Sequence, residues 1–162
     1  MNDEHIQQLG QLFSHLFPDG ADGIVSCGDG WFHIIACLCN NIMNHLHRAA
    51  PALFLPWEKV TLPRIEVVQV KEKFGTLRFY TGGYCDDTIY RLISEMEDIS
   101  AKTCELTGAE GTLHSKGGWL RTLCDAKAAE HGFTKVNKTN DSNNDNNENI
   151  NKWISLVTNT KT

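Results

Sequence analysis

An α+β domain is the fold class this sequence predicts, and three observations predict it. Apolar residues recur at helical spacing in three long stretches. Two β-rich stretches lie on either side of a short polar spacer, the pattern of an antiparallel hairpin. Glycine turns then frame a second, smaller pair of strand-like pieces. The composition allows such a fold: of 162 residues, 41% are hydrophobic and 22% charged, which excludes wholesale disorder.

Taken in order, the first helix is expected from Glu4 to Phe17. Ile6, Leu9, Leu12, Phe13 and Leu16 form its stripe, and Pro18-Asp19-Gly20 stops it. Asp29, after the turn Cys27-Gly28, is placed to cap a second helix from Trp31 to Arg48. Trp31, Ile34, Ile35, Leu38, Ile42 and Leu46 make its apolar face. Pro51, Pro56 and Pro63 punctuate an irregular connection in which Phe54, Leu55 and Trp57 can bury area. Ile65 to Val70 and Gly75 to Tyr80 read as the hairpin strands, with Leu77 and Phe79 turned to the core. Asp86 or Asp87 caps a third helix over Thr88 to Leu106. Thr112 to His114 and Trp119 to Leu123 read as the second strand pair, and Asp125 to His131 as a short helix. The domain therefore spans 1–135. Residues 136–151 form an Asn-rich segment too poor in apolar groups to order, and 152–162 end the chain with Trp153, Ile154, Leu156 and Val157, a segment able to dock as a strand.

Charge and motifs limit the chemistry. A net charge of −5 argues against general nucleic-acid binding, and no apolar run is long enough for a membrane span. The start MNDEHIQQLG lacks the features of a signal peptide, so a cytoplasmic protein with reduced cysteines is expected. No catalytic set stands out. Cys37 and Cys39 fall on different faces of one helix, and His33, His45 and His47 decorate the same helix without a ligand spacing. Gly28-Asp29-Gly30 reads as a helix start, since Asp29 would occupy any phosphate site with its own charge.

The hairpin carries the strongest binding signal. Lys71, Lys73 and Arg78 lie near Tyr80, and the two-residue period puts Arg78 and Tyr80 on the face opposite Leu77 and Phe79. A guanidinium beside an exposed phenol suits a phosphate and a stacked base. An ordinary solvated sheet margin has the same composition. Lys116 and Arg121 flank Gly117-Gly118-Trp119 and join this patch if both strand pairs share one sheet.

Four blocks carry a resemblance: Cys27-Gly28-Asp29-Gly30-Trp31-Phe32, Leu38-Cys39, the run from Gln69 to Tyr80 containing KEKFGTLRFY, and Gly118-Trp119-Leu120-Arg121-Thr122-Leu123-Cys124. In this order they resemble a family of small proteins of tailed bacteriophages and prophages, over about Gly23 to Phe133. The resemblance implies a phage-type accessory protein and brings no reaction with it. The family pattern also implies a zinc site built from C-x-x-C-G and L-C-x-x-H. Here Cys104 and Cys124 are present, but Thr107 and Lys127 stand at the second and fourth positions. Either His114 and His131 complete a set with Cys104 and Cys124, or the region is a zinc-ribbon-like hairpin without metal that relies on Trp119, Leu120 and Leu123 for burial. The second reading is preferred, and no cofactor is expected.

Together these readings lead to a non-catalytic, counter-defence binding protein that sequesters a small anionic, nucleotide-derived host molecule, as a homo-oligomer. One alternative is a module that inhibits a host enzyme by docking, with Glu95, Glu97 and Asp98 as an acidic cluster. The other is a nucleotide hydrolase.

Overall fold

The computed structural model describes residues 1–49 and 62–136. The expected burial of Phe54, Leu55 and Trp57, the Asn-rich segment from 137 onward and the 152–162 tail lie outside the described residues. Among the described residues the architecture is α+β, as expected.

Helix α1 spans Asp3–Leu12. The Asn2 side chain accepts from the His5 N–H, and Asp3 and Glu4 suit the positive end of the helix. The helix is shorter than its apolar spacing predicts because the backbone beyond it is used elsewhere: the Leu16 carbonyl accepts the Val67 N–H at 2.8 Å. Leu16 and Phe17 are nonetheless fully buried, held by a turn rather than a helix. Strand β1, Val25–Ser26, follows and runs parallel to the next strand, a pairing too short to be seen as periodicity.

Helix α2, Phe32–Ala49, is entered through a 3-10 turn over Asp29–Trp31. Asp29 does not cap it. Its carboxylate instead accepts the Asn2 N–H at 2.7 Å and meets His5 Nδ1 at 3.1 Å, tying α1 to the start of α2. These contacts hold the Asp29 carboxyl below its ordinary range, the Asn2 N–H being the main cause.

Strands β2, Ile65–Lys73, and β3, Thr76–Gly83, form the expected hairpin, with register Val70↔Phe79 and Lys71↔Arg78 and an irregularity at Val68. The loop is Phe74-Gly75, and both residues have positive φ, 55° and 83°. That is the requirement of a tight two-residue turn matching strand twist. Helix α3 spans Asp87–Ser100, capped by Asp86 through the Ile89 N–H. It ends six residues before the expected Leu106. Ser100 turns its hydroxyl onto the Glu97 carbonyl, and the Thr103 carbonyl is taken by Trp31 Nε1 at 2.9 Å.

The main core lies between β1–β2–β3 and the helices. Trp31, Ile35, Leu38, Ile42, Leu77 and Ile89 are fully buried there. Each fully buried aliphatic side chain contributes about 1.5–3 kcal/mol relative to exposure. β3 is a sheet edge, and α3 closes it: the Leu77 N–H donates to Ser100 Oγ at 2.8 Å, and the Phe79 N–H to Glu97 Oε1 at 3.3 Å.

A smaller lobe completes the chain. Strands β4, Thr112–Lys116, and β5, Trp119–Leu123, pair as predicted, helix α4 covers Asp125–His131, and β6, Thr134–Lys135, adds to β4. Its core is Cys104, Leu123 and Ala128, with Leu106, Cys124 and Phe133 partly buried around them. Trp119, expected to help fill this core, is 72% exposed because it sits at the hairpin tip opposite Lys116.

Candidate functional site

The joint between the lobes decides which cations are free. Glu105, only 4% exposed, lies at its centre. One carboxylate oxygen accepts the Gly28 N–H at 3.0 Å, and the other meets Arg121 Nε and Nη2, each at 2.7 Å. The Glu105 carbonyl takes the Gly30 N–H at 2.8 Å. Gly28 and Gly30 must be glycine because the 104–108 turn lies directly on them. A Cβ on Gly30 would overlap the Cys104 carbonyl oxygen and the Gly108 nitrogen. The Gly28-Asp29-Gly30 element is thus a docking seat for the small lobe. Thr122 Oγ1 adds a 2.6 Å hydrogen bond to the Gly75 carbonyl, so the tip of β2–β3 rests on β5.

The six expected ligand-binding residues divide accordingly. The two strand pairs belong to separate sheets, so the shared sheet that would unite them is absent among the described residues. Arg121 is committed to Glu105. Lys116 donates to the His131 carbonyl at 2.8 Å and lies over Phe133. Lys71, Lys73, Arg78 and Tyr80 do share one face: Lys71 pairs with Arg78 across the strands, and Lys73 with Thr76. Within that group Arg78 is turned inward, its Nη1 bonded to Thr76 Oγ1 and the Leu77 carbonyl, each at 2.7 Å, and 3.4 Å from Glu97 Oε2. Glu97 of α3 reaches the strand edge, where it also accepts the Phe79 N–H, and draws the guanidinium toward it.

An open cationic and aromatic strip remains. Lys71 Nζ lies 5.5 Å from the Tyr80 ring centroid, and Lys73 Nζ 5.4 Å from that of Phe74. Tyr80 is 41% exposed and Phe74 68%. Neither lysine has an acid at ion-pair distance among the described residues. Phe74 is the residue that sequence reasoning left out of the site. A bulky aromatic in the left-handed turn position that Asn or Asp usually takes is the signal that marks it.

Two members of the expected acidic cluster on α3 have partners, while Asp98 is exposed. Glu95 pairs with Arg91 at 2.9 Å, and Glu97 faces the strand edge. At the N-terminus of the same helix Asp86 takes His45 Nε2 at 2.7 Å and the Tyr84 hydroxyl at 2.8 Å. The His45 hydrogen bond, then the Ile89 N–H, hold the Asp86 carboxyl down at about 2.

The alternative zinc set of Cys104, His114, Cys124 and His131 does not assemble among the described residues. No three His, Cys, Asp or Glu side chains among the described residues stand where one ion could join them. His114 is buried with Nδ1 on the Thr112 carbonyl at 2.8 Å, and His131 lies on the exposed end of α4 near Glu130. Cys104 and Cys124 nevertheless face a common spot with Thr107. Burial pushes the Cys104 thiol up, but the Thr107 hydroxyl and the N–H groups of Cys124, Leu106 and Thr107 bring it below its ordinary value. Elsewhere burial dominates, and the Cys27 thiol is pushed up to about 12.

Fold and surface define an α+β protein with a wet cationic–aromatic sheet face and a small cysteine-containing lobe. No family model, curated protein or solved structure matches the chain. Among the described residues no helix is long and apolar enough to cross a membrane.

Proposed function

We propose that this is a non-catalytic binding protein that holds a small anionic, nucleotide-derived molecule against the outer face of β2–β3. The supporting observation is the strip of Lys71, Lys73, Tyr80 and Phe74, in which two cations and two exposed rings stand side by side. Phosphate takes the ammonium groups, and a base stacks on a ring. The phage-type, counter-defence role in a host cytoplasm rests on the four sequence blocks and on sequestration needing no catalytic group. The homo-oligomer belongs to the same proposal.

Calorimetric titration with mono-, di- and cyclic nucleotides tests it. Lys71→Ala and Tyr80→Ala are each expected to weaken binding about tenfold, the size of one charged contact or one stacked base. A bound nucleotide recovered intact after heating the protein supports sequestration, whereas recovered products mean a hydrolase. Binding untouched by either variant overturns the site. Trp119, 72% exposed at the tip of β4–β5, favours the second reading of a protein-docking module. In that case Trp119→Ala abolishes partner capture while no nucleotide binds.

A further inference from the structure

The small lobe brings two thiols together without a metal set around them. Cys104, in the turn after α3, is fully buried, and Cys124, just before α4, is half-buried. Both belong to the core cluster of this lobe, and two contacts bring their sulfurs to one place. The Cys124 N–H is directed at the Cys104 sulfur. The Thr107 hydroxyl hydrogen-bonds Cys104 and also lies 3.8 Å from Cys124 Sγ. Lys127, one turn further along in α4, is ion-paired with Glu130 at 2.7 Å. The remaining four cysteines have other surroundings: Cys27 and Cys39 are sealed in the main core, Cys85 packs partly buried against it, and Cys37 leans on the Asn41 amide.

We propose that Cys104 and Cys124 are a redox-responsive dithiol, and that a peroxide closes them into a disulfide. Cys124, the more accessible sulfur, attacks one peroxide oxygen as its thiolate. The O–O bond breaks, an S–O bond forms, and the leaving hydroxide combines with the thiol's proton as water. The Cys104 sulfur then attacks the sulfenic sulfur. An S–S bond forms, the S–O bond breaks, and a second water carries off the Cys104 proton. The two sulfurs lose two electrons, which the peroxide gains, and a dithiol reductant reverses the change. The cross-link ties the 104–108 turn to the β5–α4 junction. Gly28 and Gly30 pack on this same turn, so oxidation tightens the joint between the lobes.

The test is non-reducing peptide mapping of the full chain after hydrogen peroxide, beside the same sample treated with dithiothreitol. The expected result is a Cys104–Cys124 linked peptide lighter by a pair of hydrogens and restored by the reductant. Cys124→Ser is expected to abolish closure. A disulfide that uses another cysteine, a sulfinic Cys124 beside a free Cys104 thiol, unchanged thiols, or closure in Cys124→Ser would each overturn the assignment.

Discussion

Arg121 and Lys71 show how one residue type of charge serves two ends. Arg121 reaches a carboxylate that is almost fully enclosed, so its removal strands a buried negative charge. Arg121→Ala is expected to lower unfolding free energy by about 3 kcal/mol, read from chemical denaturation. Lys71, on the open face, has no such partner, and Lys71→Ala should stay within about 0.5 kcal/mol of the parent. Equal losses from the two variants would disprove this division. Phe74 makes the opposite case. Its φ of 55° strains a side chain that is largely in water. Phe74→Asn is therefore expected to raise stability by about 0.5–1 kcal/mol while weakening ligand binding, a stability gain at the expense of function.

At the scale of elements, α3 depends on its capping residue, Asp86, and on its reach to β3. The Asp86 carboxyl sits at about 2, held there first by His45 and then by the Ile89 N–H. Its folded value lies below the ordinary unfolded value of about 3.9, so its contribution is complete above pH 4 or so. That contribution is lost as pH falls toward 2. Denaturation midpoints measured from pH 5 to pH 2 should decline, and Asp86→Asn should flatten that part of the decline. A parent and variant with parallel profiles would refute the role of Asp86. The Gly28-Asp29-Gly30 turn is the other sensitive element. Gly30→Ala forces a methyl group into the Cys104–Gly108 backbone, and about 3 kcal/mol of overpacking is expected.

The whole molecule consists of a large core and a small lobe held by a few polar contacts. The buried apolar cluster of the lobe is Cys104, Leu123 and Ala128, and regions with so few apolar contacts open below the global free energy. Amide exchange is expected to be faster in β4 and β5 than in β2, and Arg121→Ala should accelerate it in the lobe alone. Uniform exchange across both lobes would show a single cooperative unit. The sequence determined the α+β class, the hairpin and its inward face, and the bounds of α4, because each is written in local period, capping and turn chemistry. Strand alternation, a local rule, also put Arg78 and Tyr80 on the face opposite Leu77 and Phe79, and the cross-strand register brought Lys71 and Lys73 onto that face. Only the tertiary structure decided which of those charges remain free. Glu97 and Glu105 come from distant positions to neutralise Arg78 and Arg121, and Trp31 and Ser100 divert the end of α3. Such pairings depend on which elements meet in space, and no spacing along the chain encodes them.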